Sequence, residues 1–164
     1  MVTEDAHFVI DNGAASFVPL SRYLVEHDIA GLIAGSGKLA VVHTILTGRP
    51  AMLDTAKALE AVVEQSPSSV ELIVWSNEFF GPIVTDAGEV FERTPLYERN
   101  RTRIAGLVRL DRLNPDTFGR NLRAMLARQM TFGEADRSPE FRIVARQRLR
   151  QVWRPIRDQI ALIA

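Results

Sequence analysis

The sequence contains no cysteine, which excludes disulfides, thiolate metal sites and cysteine nucleophiles together. No apolar run approaches the ~18 residues that span a bilayer. The N-terminus carries no basic region followed by an apolar stretch, the pattern that directs secretion. A cytosolic protein, with no membrane span, is the expectation. Neither an internal repeat nor a low-complexity linker divides the 164 residues, and that length fits one domain, 1–164, with a sizeable core.

Familiar catalytic signatures are missing too. There is no G-x-S-x-G nucleophile elbow. Gly35-Ser36-Gly37-Lys38 is not a phosphate loop: Leu32 stands where the motif needs its first glycine, and Leu39 where it needs a hydroxyl. It also leads into an apolar strand pattern, whereas a phosphate loop opens a helix whose amides hold the anion. The histidines His7, His27 and His43 match no compact metal motif. His43 lies inside an apolar run and reads as a hydrogen-bonded core histidine.

What is present is an ordinary soluble balance, 46% hydrophobic and 24% charged, with zero net charge. That zero hides an asymmetry. Residues 1–92 hold 4 Lys+Arg against 13 Asp+Glu, and residues 93–164 hold 16 Arg against 7 Asp+Glu. The arginine-rich half has the field to attract nucleic acid or an acidic partner. Equally, the halves can neutralise one another in one compact body, with the arginines solvating amphipathic helices.

Apolar runs alternate with helical patterns. His7–Ile10, Leu39–Leu46, Val70–Ser76 and Arg103–Arg109 read as buried strands. Helices are expected from Ser16 to about His27, with Leu20, Leu24 and Val25 inward, and from about Pro50 to Gln65. Gly31, Gly35 and Gly37 mark a loop, and Asp86-Ala87-Gly88 a hairpin turn. Thr94-Pro95, Asn114-Pro115 and Ser138-Pro139 open helices, the second with Phe118, Leu122, Met125 and Leu126 inward. Thr131 with Glu134 fits a capping box, and Pro155 is expected to kink or interrupt the last helix. The fold class is therefore α/β, a mostly parallel sheet flanked by helices with a helical C-terminus.

In such sheets ligands bind beyond the carboxyl ends of the strands. Asp11 ends the first run, Thr47-Gly48 follows the second, and Asn77 ends the third. An aspartate placed like Asp11 can hold magnesium-bound water in phosphate-handling folds. Asx chemistry explains Asp11-Asn12-Gly13 as a cap or turn equally well, and Asn77 can be a turn residue before Phe79-Phe80-Gly81-Pro82.

The segment Phe8–Ser21, FVIDNGAASFVPLS, resembles the central motif of the TraL-type conjugal transfer proteins, in the MinD/ParA-like branch of P-loop ATPases. The resemblance continues through Val42-His43-Thr44, Thr47-Gly48, Val74–Ile83, Thr117–Arg120, Leu126–Phe132 and Arg146–Leu149. It implies a bacterial, cytoplasmic, ATPase-like protein of conjugation and a partial P-loop NTPase fold. ATP and Mg are the cofactors of the intact family. Asp11 matches the switch aspartate that holds the magnesium-bound water, Gly13 the residue that lets the backbone follow the γ-phosphate, and Asn77 the adenine contact. The implied partners are proteins of the conjugation machinery, with a homodimer and DNA as further candidates.

Departures from that pattern matter. The phosphate loop with its two lysines, and the switch aspartate that follows it, have no counterpart in this sequence, and Asp111 stands where the family has a proline beside adenine. The missing strand would lie between those matching His7–Asp11 and Leu39–Leu46. Either these two close up and pair, or another chain fills the gap, or the polypeptide is the C-terminal portion of a longer product. Three functions compete: part of a conjugation ATPase that binds no ATP alone, a non-catalytic interaction module, or an unrelated small α/β hydrolase.

Overall fold

The computed structural model describes residues 3–48, 51–79, 81–85 and 87–163, with the backbone alone for Ala14, Ala15, Phe17 and Val18. Its centre is a parallel sheet of three strands, β1 (Ala40–Thr47), β2 (Val70–Asn77) and β3 (Ile104–Leu110), in that spatial order. Ala40 lies opposite Val70, and Ser76 opposite Arg109, with one register shift beside Leu72 and Ile73. Long apolar, β-branched runs form these strands; central β2 is largely buried on both faces, whereas β1 and β3 leave part of one face open.

Helix α1 (Ala14–Glu26) is followed by α2 (Ile29–Gly35), and α3 (Met52–Gln65) crosses over between β1 and β2. Leu59, Val62 and Val63 of α3 pack on Leu46, Leu72 and Val74, and Ala30 of α2 joins the same cluster. Short α4 (Pro95–Asn100) precedes β3, with the Thr94 hydroxyl accepting from Tyr97 N as its cap.

Beyond β3 the chain is helical. The Asn114 side chain accepts from Asp116 N, and a wide π-type turn over Pro115–Gly119 leads into α5 (Arg120–Ala127). α6 (Phe132–Arg137) begins on the expected Thr131–Glu134 capping box, and α7 (Ile143–Ile160) follows. These helices enclose a second cluster of Met125, Ala135, Phe141 and Leu149. The Gln159 amide of α7 bonds both backbone groups of Arg109: its oxygen accepts from Arg109 N at 2.7 Å and its nitrogen donates to Arg109 O at 3.1 Å.

Several expectations are corrected. His7–Ile10 forms no strand; it is unpaired and outside the sheet, with Val9 95% exposed. Nor do the two runs close up: among the described residues no strand pairs with the outer edge of β1. An apolar tetrapeptide specifies burial but no partner, and here no second strand receives it.

The glycine-marked loop is instead α2. Asp28, at φ 45°, opens it by accepting from Gly31 N, and a Cβ on Gly31 would lie 2.4 Å from that carboxylate. The local cap and the burial of Ala30 outweigh the glycine cost. α1 starts at Ala14 on a Gly13 cap rather than at Ser16, and its Val25 is exposed. Leu126 also faces solvent, because Met125 takes the inward position. α7 runs on through Pro155 without interruption. The hairpin reduces to one antiparallel bridge, Val84 to Val90; Asp86 lies outside the described residues, as do Arg49, Pro50 and Phe80.

Candidate functional site at the carboxyl end of the sheet

The three strand ends form one edge because the strands are parallel and nearly in register. The ladder continues past them: Gly48 N donates to Asn77 O at 3.1 Å, and Glu78 N to Leu110 O at 3.0 Å. Thr47, Gly48 and Ser76 are buried there. The Thr55 hydroxyl of α3 accepts from Thr47 N and donates to the first-turn carbonyls, so the start of α3 is tied to the end of β1. A Cβ on Gly48 would lie 2.1 Å from Gly81 O, so only glycine lets the two loops pass this closely.

Asn77 is half-buried at this edge, and its Oδ1 accepts from Phe79 N at 3.1 Å. That is an Asx-type turn. The oxygen is engaged locally, and Nδ2 is the part left to meet a ligand. Asp111, after β3, is exposed.

Asp11 and Gly13 belong to no strand of this ladder. With no strand over His7–Ile10, sheet topology no longer carries Asp11 to the edge. Asp11 is exposed, and no hydrogen bond or ion pair joins it to Asn77 among the described residues. Gly13 caps α1, its carbonyl accepting from Ser16 N at 3.0 Å and Ser16 Oγ at 2.9 Å. The segment before them is held near the start of β1, the end opposite Asn77. There Lys38 Nζ donates to the Glu4 carbonyl and lies 5.7 Å from the centre of the Phe8 ring. No group of three or more His, Asp or Glu side chains gathers to hold a metal among the described residues.

The remaining singled-out positions have structural roles. Gly37, at φ +75°, turns between α2 and β1, as its place before a strand requires. His43 is hydrogen-bonded but not in the core: its face of β1 is exposed, and Nδ1 accepts from Trp75 Nε1 at 2.9 Å. The expectation failed because helices cover only one face of β1.

The arginine-rich half has its own electrostatics. Residues 111–164 hold 11 arginines and 6 carboxylates. Asp136 accepts from Arg150 Nε at 2.6 Å and Nη2 at 3.1 Å, and this guanidinium bond holds the carboxyl below its ordinary range. Arg150 is raised by the same bond. Glu134 is lowered first by the Thr131 backbone N–H and then by its hydroxyl. Arg128 Nε donates to Glu140 at 2.6 Å, and Asp158 meets Arg154 and Arg157. Most of these carboxylates are therefore engaged, while Arg112, Arg120 and Arg142 have no carboxylate within salt-bridge distance among the described residues. Individual arginines escaped the sequence reading because their neighbours depend on helix packing; their spacing along α5 was the one available signal.

No family model matches the chain, and no solved structure matches it. Two curated Escherichia coli proteins, each named "Protein TraL", do. One is 37% identical over 152 residues, covering 93% of this chain and 63% of the relative. The other is 36% identical over 152 residues, with the same coverage. The chain thus spans somewhat less than two thirds of the length of the curated relatives it matches.

Proposed function

We propose that this chain is part of a TraL-type conjugal transfer protein built on a MinD/ParA-like nucleotide-binding plan, and that these 164 residues do not bind ATP productively by themselves. The observation that carries the reading is the match to two TraL proteins over 93% of the chain. The parallel sheet with Thr47, Gly48 and Asn77 at one carboxyl edge supports it, since that edge is where α/β sheets bind ligands. The outer edge of β1, with which no strand pairs among the described residues, fits a sheet that a further strand completes.

In this reading Asn77 Nδ2 meets adenine, and Asp11 would hold magnesium-bound water once a phosphate loop is supplied. Gly13 gives the backbone after Asp11 its freedom. The residues present do not make a complete ATP–Mg site: among the described residues no lysine-bearing, glycine-rich loop opens a helix, and Asp11 ends no strand. Hydrolysis would need the phosphate loop as well as these residues.

The test is genetic and then biochemical. Deleting the gene in its host should lower mating frequency by orders of magnitude, and the full-length reading frame should restore it. Unchanged transfer in the deletion strain would refute the conjugation reading. The 164-residue chain should show no saturable binding of a fluorescent ATP analogue at micromolar concentrations; tight binding would refute the account of the incomplete site.

A second reading, an interaction module for conjugation proteins or DNA, is favoured by the surplus of arginines in residues 111–164. Direct DNA contact predicts affinity that falls steeply with salt, through release of condensed counterions. Salt-indifferent association would leave protein partners only.

A further inference from the structure

A cleft between α5 and α7 gathers charge of one sign. Its volume is about 340 Å³, and Arg120, Asn121 and Arg128 of the α5 side face Glu140, Arg142 and Arg148 of the α7 side. Arg120 at the start of α5 and Arg128 just past its end both line the cleft. Four guanidinium groups meet a single carboxylate. Glu140 compensates Arg128 at 2.6 Å, and Arg148 Nη1 donates only to the neutral Asn121 Oδ1 at 3.4 Å. Arg120 and Arg142 are exposed and make no side-chain hydrogen bond or ion pair among the described residues. Three positive charges are left without a counter-charge.

We propose that this cleft is a binding site for a compact phosphate-bearing oligoanion of the pyrophosphate type. Guanidinium forks match phosphate oxygens two at a time, which favours arginine where planar, bidentate recognition is needed. A single carboxylate would leave two of the three charges uncompensated, whereas a diphosphate group answers all three. The cavity is at the small end of ligand pockets, large enough for such a group. The first turn of the 18-residue α7 adds to the field: Ala145 lines the cleft, and no side chain caps that helix.

The lining also indicates what the site ignores. Phe141 is its one aromatic residue; the ring is buried, and the Arg128 guanidinium carbon stands 5.7 Å from its centre. No aromatic face is left to stack a base. The cleft therefore reads phosphate groups, and the source, inorganic pyrophosphate or the tail of a nucleoside diphosphate, makes little difference to it. It is lined by the helical part of the chain alone and by none of Thr47, Gly48 or Asn77, and it does not rest on the function proposed above.

The experiment is isothermal titration of the full 164-residue chain with inorganic pyrophosphate at fixed ionic strength. One saturable site is expected, weakened at least about tenfold in the Arg120→Ala/Arg142→Ala double variant, a loss of ~1.4 kcal/mol. Arg112→Ala, outside the cleft, should bind like the parent. Arg120 and Arg142 are exposed and make no side-chain hydrogen bond or ion pair among the described residues, so far-UV circular dichroism should not change. ADP should bind within a few-fold of pyrophosphate. The proposal is overturned by absence of saturable binding at millimolar pyrophosphate, by equal loss in Arg112→Ala, or by parent-like binding in the double variant. Much tighter ADP binding would overturn the claim that only phosphate is read. If an unphosphorylated single-stranded oligonucleotide bound more tightly than pyrophosphate and lost affinity in the double variant, the cleft would be a nucleic-acid backbone site instead.

Discussion

The Trp75 indole donates to His43 Nδ1 at 2.9 Å across the β1–β2 ladder, on a face where Ile45 remains 56% exposed. The bond joins two strands, yet water competes for both groups. His43→Ala should cost no more than about 1 kcal/mol, the range for a single hydrogen bond. On the opposite face of the sheet, Leu72 is fully buried. Leu72→Ala should cost about 2–5 kcal/mol through lost transfer and a residual cavity. Urea unfolding of the two variants checks the contrast, and equal losses would show that the exposed face is covered in solution.

Two glycines at close approaches should respond differently to a methyl group. At Gly48 the obstacle is the Gly81 backbone carbonyl, which cannot swing away. Gly48→Ala should therefore destabilise by about 1–3 kcal/mol, as overpacking does. At Gly106 the obstacle is the Ile163 side chain near the C-terminus, whose atoms can change rotamer. Gly106→Ala should cost less, and thermal melts of the pair would measure the difference.

Stability should fall in acid through the helical part. The folded-state pKa values of Asp136 and Glu134 are depressed by Arg150 and by Thr131 respectively. Their stabilisation is thus complete above the ordinary carboxylate range and is lost as pH drops through the lowered folded values. Glu134 is exposed, and Asp136 is half-buried against an exposed Arg150, so salt should weaken the Asp136–Arg150 contribution. Asp136→Asn should flatten the acid limb of the melting temperature plotted against pH, while the profile near neutrality keeps its slope.

Asp11 should be dispensable for folding. It is exposed and lies in no helix or strand, so Asp11→Ala should shift stability by less than about 0.5 kcal/mol. Asn77→Ala, which opens the turn to Phe79 N, should cost more, about 0.5–1.5 kcal/mol. Denaturant midpoints separate them, and a large loss at Asp11 would mean that the segment before α1 is packed in solution.

Three strands were legible in the sequence because burial on a parallel sheet demands long apolar runs, and 40–47, 70–77 and 104–110 have them. The caps at Thr94, Asn114 and Thr131 were legible because their chemistry is local, each bonding a backbone N–H two or three residues ahead. But Ser138-Pro139 does not open the last helix: Ser138 ends α6, and α7 begins at Ile143 after Arg142. His7–Ile10 misled, because an apolar run fixes neither a partner strand nor its presence. His43 misled for a related reason: period-two patterning assigns it a face but does not say whether a helix covers that face. Of the candidate site, Thr47, Gly48 and Asn77 followed from topology. The cleft arginines depend on how α5 packs on α7, which spacing along either helix does not encode.

Gln159 gives the sheet a direction of growth. Its amide occupies the outward N–H and C=O of Arg109 as a neighbouring strand residue would, so the β3 margin is closed to a newcomer at that point. The β1 margin has no such stopper among the described residues beyond the Thr55 hydroxyl on Thr47 N. A strand that lengthens this sheet, from the same polypeptide or another, meets this obstacle beside β3 and not beside β1. Growth beside β1 would place each added strand farther from α7, which packs on β3.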